Sequence, residues 1–216
     1  MKRKIIVLAA LLLSVCANAQ QAVGSWSIQP KAGINLATLT NDDDAKTRVG
    51  LVAGAELAYQ VTPLISISAG ALYSQQGAKG KISLQGPEGE RIGIKEVIKM
   101  DYVTIPILAN FHVAKGLAFK LGIQPGFRVN DKVEVTVNGV TAEVGLKTAI
   151  REFGLNADVN SYDFAIPLGV SYEFSHVVLD ARYNFSVTDA LSVMGETSRN
   201  SVFQLTIGYK FGLSTQ

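Results

Sequence analysis

Phe119-Lys-Leu-Gly-Ile-Gln-Pro-Gly-Phe-Arg-Val129 changes character at every residue. In an extended chain Phe119, Leu121, Ile123, Pro125, Phe127 and Val129 share one side, and Lys120, Gly122, Gln124, Gly126 and Arg128 share the other. A period of two predicts a β-strand with one apolar face. The second face mixes charge with glycine, and glycine weakens a strand unless something requires a small residue there.

The same pattern recurs on both sides of this stretch. Toward the N-terminus it runs through Trp26–Leu36, Val49–Tyr59, Ile65–Tyr73 and Tyr102–His112. Toward the C-terminus it runs through Asp163–Phe174, Val177–Phe185 and Phe203–Leu213. Eight segments of about ten residues suit tilted membrane-crossing strands. Tight connections at 61–64, 114–116 and 175–176 alternate with long ones at 39–48, 77–99, 130–161 and 187–200. An even strand number with short turns on one side predicts an all-β fold. The expectation is an eight-stranded antiparallel up-and-down transmembrane β-barrel, with periplasmic termini and long extracellular loops bearing hairpin extensions.

A one-faced strand also fits a soluble barrel, and three features decide against it. Aromatics cluster near strand ends on the apolar face: Trp26, Tyr59, Phe111, Phe119 and Phe174 at one rim, Tyr73, Phe127, Phe164, Phe185 and Phe203 at the other. Two such girdles mark a barrel in lipid. Strand glycines such as Gly33, Gly54, Gly122 and Gly169 all fall on the polar face, where a narrow lumen needs small residues beside long ones. That face also balances its signs. Lys31, Lys120, Arg128, Arg182 and Lys210 stand against Glu56, Asp163, Glu173 and Asp180, and an interior ion network is expected. In it Arg182 would neutralise a carboxylate such as Glu173 or Asp180. Pro30, Pro106, Pro125 and Pro167 sit inside these strands, so bulges or missing ladder bonds are expected, above all at Pro106 and Pro167.

The chain of 216 residues is 48% hydrophobic and 18% charged, with a formal charge of +2. Lys2, Arg3 and Lys4, the apolar run Ile5–Leu13 and Ala17-Asn18-Ala19 read as a cleaved signal peptide over residues 1–19. Residues 20–216 then form a single barrel domain. Without the three basic residues of the signal, 17 basic face 18 acidic residues, and the net charge is −1. Nothing in that balance points to nucleic acid. The one cysteine, Cys16, leaves with the signal, so neither disulfides nor a thiolate metal site is expected.

Lys31-Ala-Gly-Ile-Asn-Leu36, Tyr102-Val-Thr-Ile-Pro-Ile107, Lys120-Leu-Gly-Ile-Gln-Pro-Gly126, Tyr162-Asp-Phe-Ala-Ile-Pro-Leu-Gly169 and Leu179-Asp-Ala-Arg-Tyr183, in this order, resemble the outer-membrane β-barrel domain of Bacteroidota, often labelled PorT-like. The resemblance spans the mature chain and implies an integral outer-membrane protein with outer-membrane lipid around it. Gly208, Phe211 and Leu213 in the last strand resemble the insertion signal read by the barrel-assembly machinery, although three residues follow Leu213. The named member of the family is linked to secretion, which makes a protein-export component one alternative.

Catalytic and cofactor signals are weak. His112 and His176 fall at the short-turn rim without carboxylates at ligand spacing, so no metal site, cofactor or Ser-His-Asp mechanism is expected. Gly86-Pro87-Glu88-Gly89 reads as a turn, and Asp42-Asp43-Asp44 as a solvated tip. An outer-membrane lipid-modifying enzyme would need an outward-opening pocket of convergent polar groups. A lipocalin-like carrier would need an apolar cavity inside and charges outside. The loops offer more. Ile82 and Leu84 face Ile92 and Ile94 across one predicted hairpin, and Asn138-Gly139 predicts a type I′ turn between Val133–Val137 and Val140–Val144. Leu146, Ile150 and Phe153 have helical spacing. These hairpins are candidate surfaces for an extracellular or envelope protein partner, in a structural, adhesive or accessory role.

Overall fold

In the computed structural model the described residues are 22–40, 46–85, 91–137, 140–145, 148, 157–193 and 196–213. The predicted signal peptide, the Asn138-Gly139 turn, the Gly86–Gly89 turn, the acidic tip and the Leu146/Ile150/Phe153 helix lie outside them.

The strands are β1 (Trp26–Leu39), β2 (Lys46–Gln60), β3 (Ile65–Gln85), β4 (Arg91–Thr104), β5 (Ile107–Ala114), β6 (Leu117–Val137), β7 (Val140–Gly145), β8 (Ala157–Val159), β9 (Tyr162–Phe174), β10 (Val177–Ser186), β11 (Leu191–Val193), β12 (Glu196–Ser198), β13 (Asn200–Tyr209) and β14 (Phe211–Leu213). All pairings are antiparallel, and the ring runs β1, β2, β3, β4 with β5, β6, β9, β10, and β13 with β14. β13 and β14 close the ring by pairing with β1, from Leu39↔Asn200 to Trp26↔Leu213. β4 with β5, and β13 with β14, each make one staved position, so the ring has eight strands.

The prolines explain both interruptions. Pro106 separates β4 from β5, and neighbouring β3 keeps its register across the gap, from Leu72↔Thr104 to Ala69↔Ile107. The ladder does not bulge there. Gly70 N–H still donates to the Pro106 carbonyl at 3.1 Å and Ile105 N–H to the Pro125 carbonyl at 2.8 Å, so only the bond that Pro106 cannot donate is missing. Pro167 stays inside β9. It pairs regularly with Asn184 of β10, while on the β6 side pairing lapses between Leu121↔Leu168 and Gln124↔Ala165. Pro30 lies next to the break at Lys210, which stands opposite Gln29 and donates its N–H to the His176 carbonyl at 2.7 Å. A residue with no N–H is tolerated wherever its neighbour forgoes the bond.

Register shifts fall elsewhere. One lies between Thr47 and Val52 on β2, opposite Gly77 of β3, whose φ of +114° is open to glycine. Another lies between Asp101 and Tyr102 of β4 against β6. The short turn before β6 uses Gly116 at φ +75°.

The faces are sorted as the alternation requires. Outward side chains are apolar and exposed, with Leu51 at 62%, Leu168 at 53% and Phe119 at 51%. Inward ones are polar and buried, with Arg182 at 0% and Asp180 at 2%. A water-soluble barrel inverts this order, which overturns the lipocalin-like alternative. At the short-turn rim Trp26 packs on Tyr59 (4.8 Å between centroids) and Tyr209 on Phe211 (4.6 Å). At the long-loop rim Phe127 meets Tyr162 edge-on at 6.0 Å. Neighbouring strands approach closely enough that a Cβ on Gly33 would collide with the Leu205 carbonyl oxygen, and one on Gly122 with that of Ile107.

Candidate functional site

Strand parity sends Lys31 of β1, Glu56 of β2, Lys120 of β6, and Asp180 and Arg182 of β10 into the lumen, where they meet. Arg182 donates from Nη1 and Nη2 to Glu56 Oε1, each at 3.0 Å, and from Nη2 to Asp180 Oδ2 at 3.0 Å. Lys31 Nζ lies 3.1 Å from Glu56 Oε2 and 3.4 Å from Asp180 Oδ2, and Lys120 also bonds Asp180. Three cations therefore share two carboxylates. Asp180 is the hub, and one of its oxygens serves all three.

The remaining predicted interior charges lie in other layers. Glu173 does not reach Arg182; it pairs with Lys210 at 2.8 Å near the short-turn rim. The expectation that Arg182 guards Glu173 is corrected by height: Glu173 pairs with Val178 across β9 and β10, well below Arg182, which stands opposite Gly169. Asp163 sits toward the long-loop end, accepting from Ser186 Oγ at 3.0 Å and Asn200 Nδ2 at 3.4 Å. Arg128 lies at that end too, opposite Tyr102 in the β4–β6 register.

Sequence reasoning missed a second charged layer. Arg48 lies 3.7 Å from Asp101, which also accepts from Tyr73 (2.9 Å) and Asn130 (3.0 Å). Arg48 and Asn130 were hidden because 39–48 and 130–161 read as loop, and Asp101 falls just before the strand read from Tyr102. Directly beside it, Leu39, Ala78, Met100, Tyr102 and Ala190 form a buried apolar cluster at the long-loop end. At the opposite end a cavity of about 40 Å³ is bordered by Ser66, Asn110, His112, Lys120, Glu173 and Lys210. That is room for about one or two waters. His112 Nε2 lies 3.0 Å from Ser66 Oγ, and His176 stacks on Tyr209 at 5.5 Å. Among the described residues no group of three His, Cys, Asp or Glu could hold a metal.

Beyond the long-loop rim the two predicted hairpins are one sheet. Ile82↔Ile94 and Leu84↔Ile92 pair β3 with β4, and Val137↔Val140 to Lys132↔Gly145 pair β6 with β7. β4 then pairs with β6 from Ile94↔Val137 to Asp101↔Asn130, giving the order β3-β4-β6-β7. β3 and β6 each have 21 residues, about 70 Å at roughly 3.3 Å per residue, far more than a membrane crossing needs. β7 is exposed throughout and, among the described residues, pairs only with β6. A second small sheet, β12-β11-β8, stands at the same end.

Charge ties β7 to this sheet. Glu143 bonds Lys132 and Lys99, and Lys99 also bonds Glu134. The Lys132 ammonium, then that of Lys99, hold the Glu143 carboxyl below the usual carboxylate range, and Glu134 leads in raising Lys99. A depressed carboxylate contributes order above its ordinary value of about 4, lost as pH falls through the lowered one. The raised lysine contributes below its ordinary value of about 10, lost as pH climbs past the raised one. Glu143→Gln is expected to speed amide exchange in β7 at neutral pH. After correction for intrinsic rates, its difference from the parent protein should begin to shrink only as pH falls below about 4 and should vanish below the lowered value. A difference that persists in acid would argue against the ion pairs.

Comparisons with known proteins agree with this architecture. The described crystal structures that resemble it include Ail, the attachment invasion locus protein of Yersinia pestis. The two share 16% identity over 88% of this chain and 100% of that one, with a TM-score of 0.45. Neisserial surface protein A is similar at 14% identity over 86% and 97%, TM-score 0.44. The outer membrane protease OmpT of Escherichia coli is similar at 12% over 88% and 94%, TM-score 0.30. No curated protein matches the chain. Residues 18–192 match the family model described as outer membrane protein beta-barrel domain. With lipid-type girdles outside and paired charges within, the chain belongs to the outer membrane β-barrel domain family.

Proposed function

We propose that this outer-membrane barrel is a structural platform whose long-loop end faces the cell exterior and recruits a protein partner, with both termini in the periplasm. The observation that carries the reading is the free edge of β7. Six exposed residues end a four-stranded sheet raised above the aromatic rim, with no strand beyond them among the described residues. An unpaired edge offers backbone donors and acceptors to an extended segment of another chain. The ion network and the apolar cluster leave the lumen filled, so the role lies in the surface, adhesive or as an accessory of an envelope complex. The signal peptide of residues 1–19 and insertion through the barrel-assembly machinery complete this reading.

Because Cys16 is the only cysteine and belongs to the predicted signal, a cysteine placed at Thr141 is a unique label. An impermeant maleimide is expected to modify Thr141→Cys in intact cells, and labelling only after lysis would overturn the orientation. Unboiled protein should migrate differently from boiled protein and stay in the membrane fraction. Thr141→Pro should abolish attachment or co-migration with an envelope complex while leaving that gel shift intact. Attachment and co-migration both unchanged would overturn the platform reading.

A further inference from the structure

The lumenal ion cluster carries one positive charge too many. Arg182 and Lys31 occupy the two oxygens of Glu56, and Lys31, Lys120 and Arg182 all converge on Asp180 Oδ2. Among the described residues no third carboxylate bonds any of these cations. Glu173 is held by Lys210 at 2.8 Å, while Asp163 and Asp101 stand toward the long-loop end. The surplus is buried, since no side chain of the cluster is more than 7% exposed. An uncompensated charge away from water is costly, and an opposite charge beside it lowers that cost.

The cavity at the short-turn end reaches the surplus. Its wall includes Lys120 and Glu56 of the cluster together with Ser66, Ser68 and Ser171. The Lys120 ammonium has three N–H donors, and the cluster gives it one acceptor, Asp180. Ser68 Oγ accepts from Asn110 Nδ2 at 3.1 Å, which leaves its O–H as a donor. Ser171 is 6% exposed, and its hydroxyl makes no hydrogen bond among the described residues. The carboxylates in the wall are already neutralised, Glu56 by Arg182 and Lys31, and Glu173 by Lys210.

We propose that this cavity is a site for one monovalent anion of chloride size, bound by Lys120 and the serine hydroxyls, which neutralises the ion cluster. A space of about 40 Å³ takes one or two waters, so a halide fits and a phosphate or sulfate does not. A surplus of one charge calls for the same valence. The partly exposed Lys210–Glu173 pair stands at the outer end, and the ion enters from that side.

The test unfolds the full mature chain with urea in phosphatidylcholine vesicles while bromide replaces gluconate at constant ionic strength. An ion that binds only the folded state raises the folding constant in proportion once it exceeds its dissociation constant. Each tenfold rise in bromide should then bring about a tenfold rise in that constant. Lys120→Met removes both the donor and the surplus. Lys31→Met removes the surplus and leaves the cavity wall as it is. Both keep two cations against two carboxylates, so folding, followed by the heat-dependent gel shift, is expected to persist, and both should lose the bromide response. In crystals of the parent protein, anomalous scattering should place one bromide in the cavity beside Lys120, a result that needs no variant. A flat response in the parent protein, an equal response in both variants, or bromide absent from the cavity would each overturn the proposal. Sulfate reproducing the difference between parent and variants would overturn it too.

Discussion

Asp180→Asn is expected to lower the unfolding free energy of the barrel by about 3–5 kcal/mol, the range for breaking a buried ion pair from one side. The substitution keeps shape and removes one charge. Lys31, Lys120 and Arg182 all converge on Asp180 Oδ2, and all are buried. Without it three cations face Glu56 alone, buried away from bulk water. Removing a cation acts in the opposite direction on the balance. Lys31→Met leaves two cations with two carboxylates, and both carboxylates keep Arg182. Its cost is expected to be clearly smaller than that of Asp180→Asn. Urea unfolding in lipid vesicles measures both. Equal losses, or a neutral Asp180→Asn, would contradict the hub.

Ile123→Arg should cost about 2–4 kcal/mol, the penalty for a cation at the bilayer midplane of a barrel. Ile123 is 44% exposed and stands midway along β6 between Phe119 and Phe127, the markers of the two rims. Val129→Arg, beyond Phe127 on the same side of the strand, should cost no more than about 1 kcal/mol, because the penalty fades near the interface. On a solvated surface both changes would fall within about 0.5 kcal/mol. The difference between the two sites is the measurement that matters, and equal small effects would remove Ile123 from lipid.

The barrel was legible because its signal is local. Phe119–Val129 carries strand, face and rim in eleven consecutive residues, and Pro106 announces its own gap. The ion network was legible in membership but not in pairing. Arg182 and Glu56 are 126 residues apart, and only the stagger of the closed ring sets which inward side chains share a height. Glu173 was assigned to the wrong layer for that reason. The upper sheet was half visible: each hairpin has its own alternation, but the β4–β6 pairing that fuses them joins segments without a turn between them. Leu39, Met100 and Tyr102 gave no sign of clustering, because bulges near Gly77 and Asp101 shift the parity that would have placed them.

The ion cluster straddles the seam where the barrel closes. Lys31 and Glu56 come from the first two strands, Asp180 and Arg182 from β10, and β13 lies between them, joined to β1 on one side and β10 on the other. Until that last strand is in place, Arg182 has only Asp180 of its own strand and Lys31 only Glu56 of the neighbouring strand as counter-ions. Zipping the seam brings them together in one event. Closure therefore joins two local ion pairs into one network, and the bonds from Arg182 to Glu56 and from Lys31 to Asp180 exist only in the finished ring.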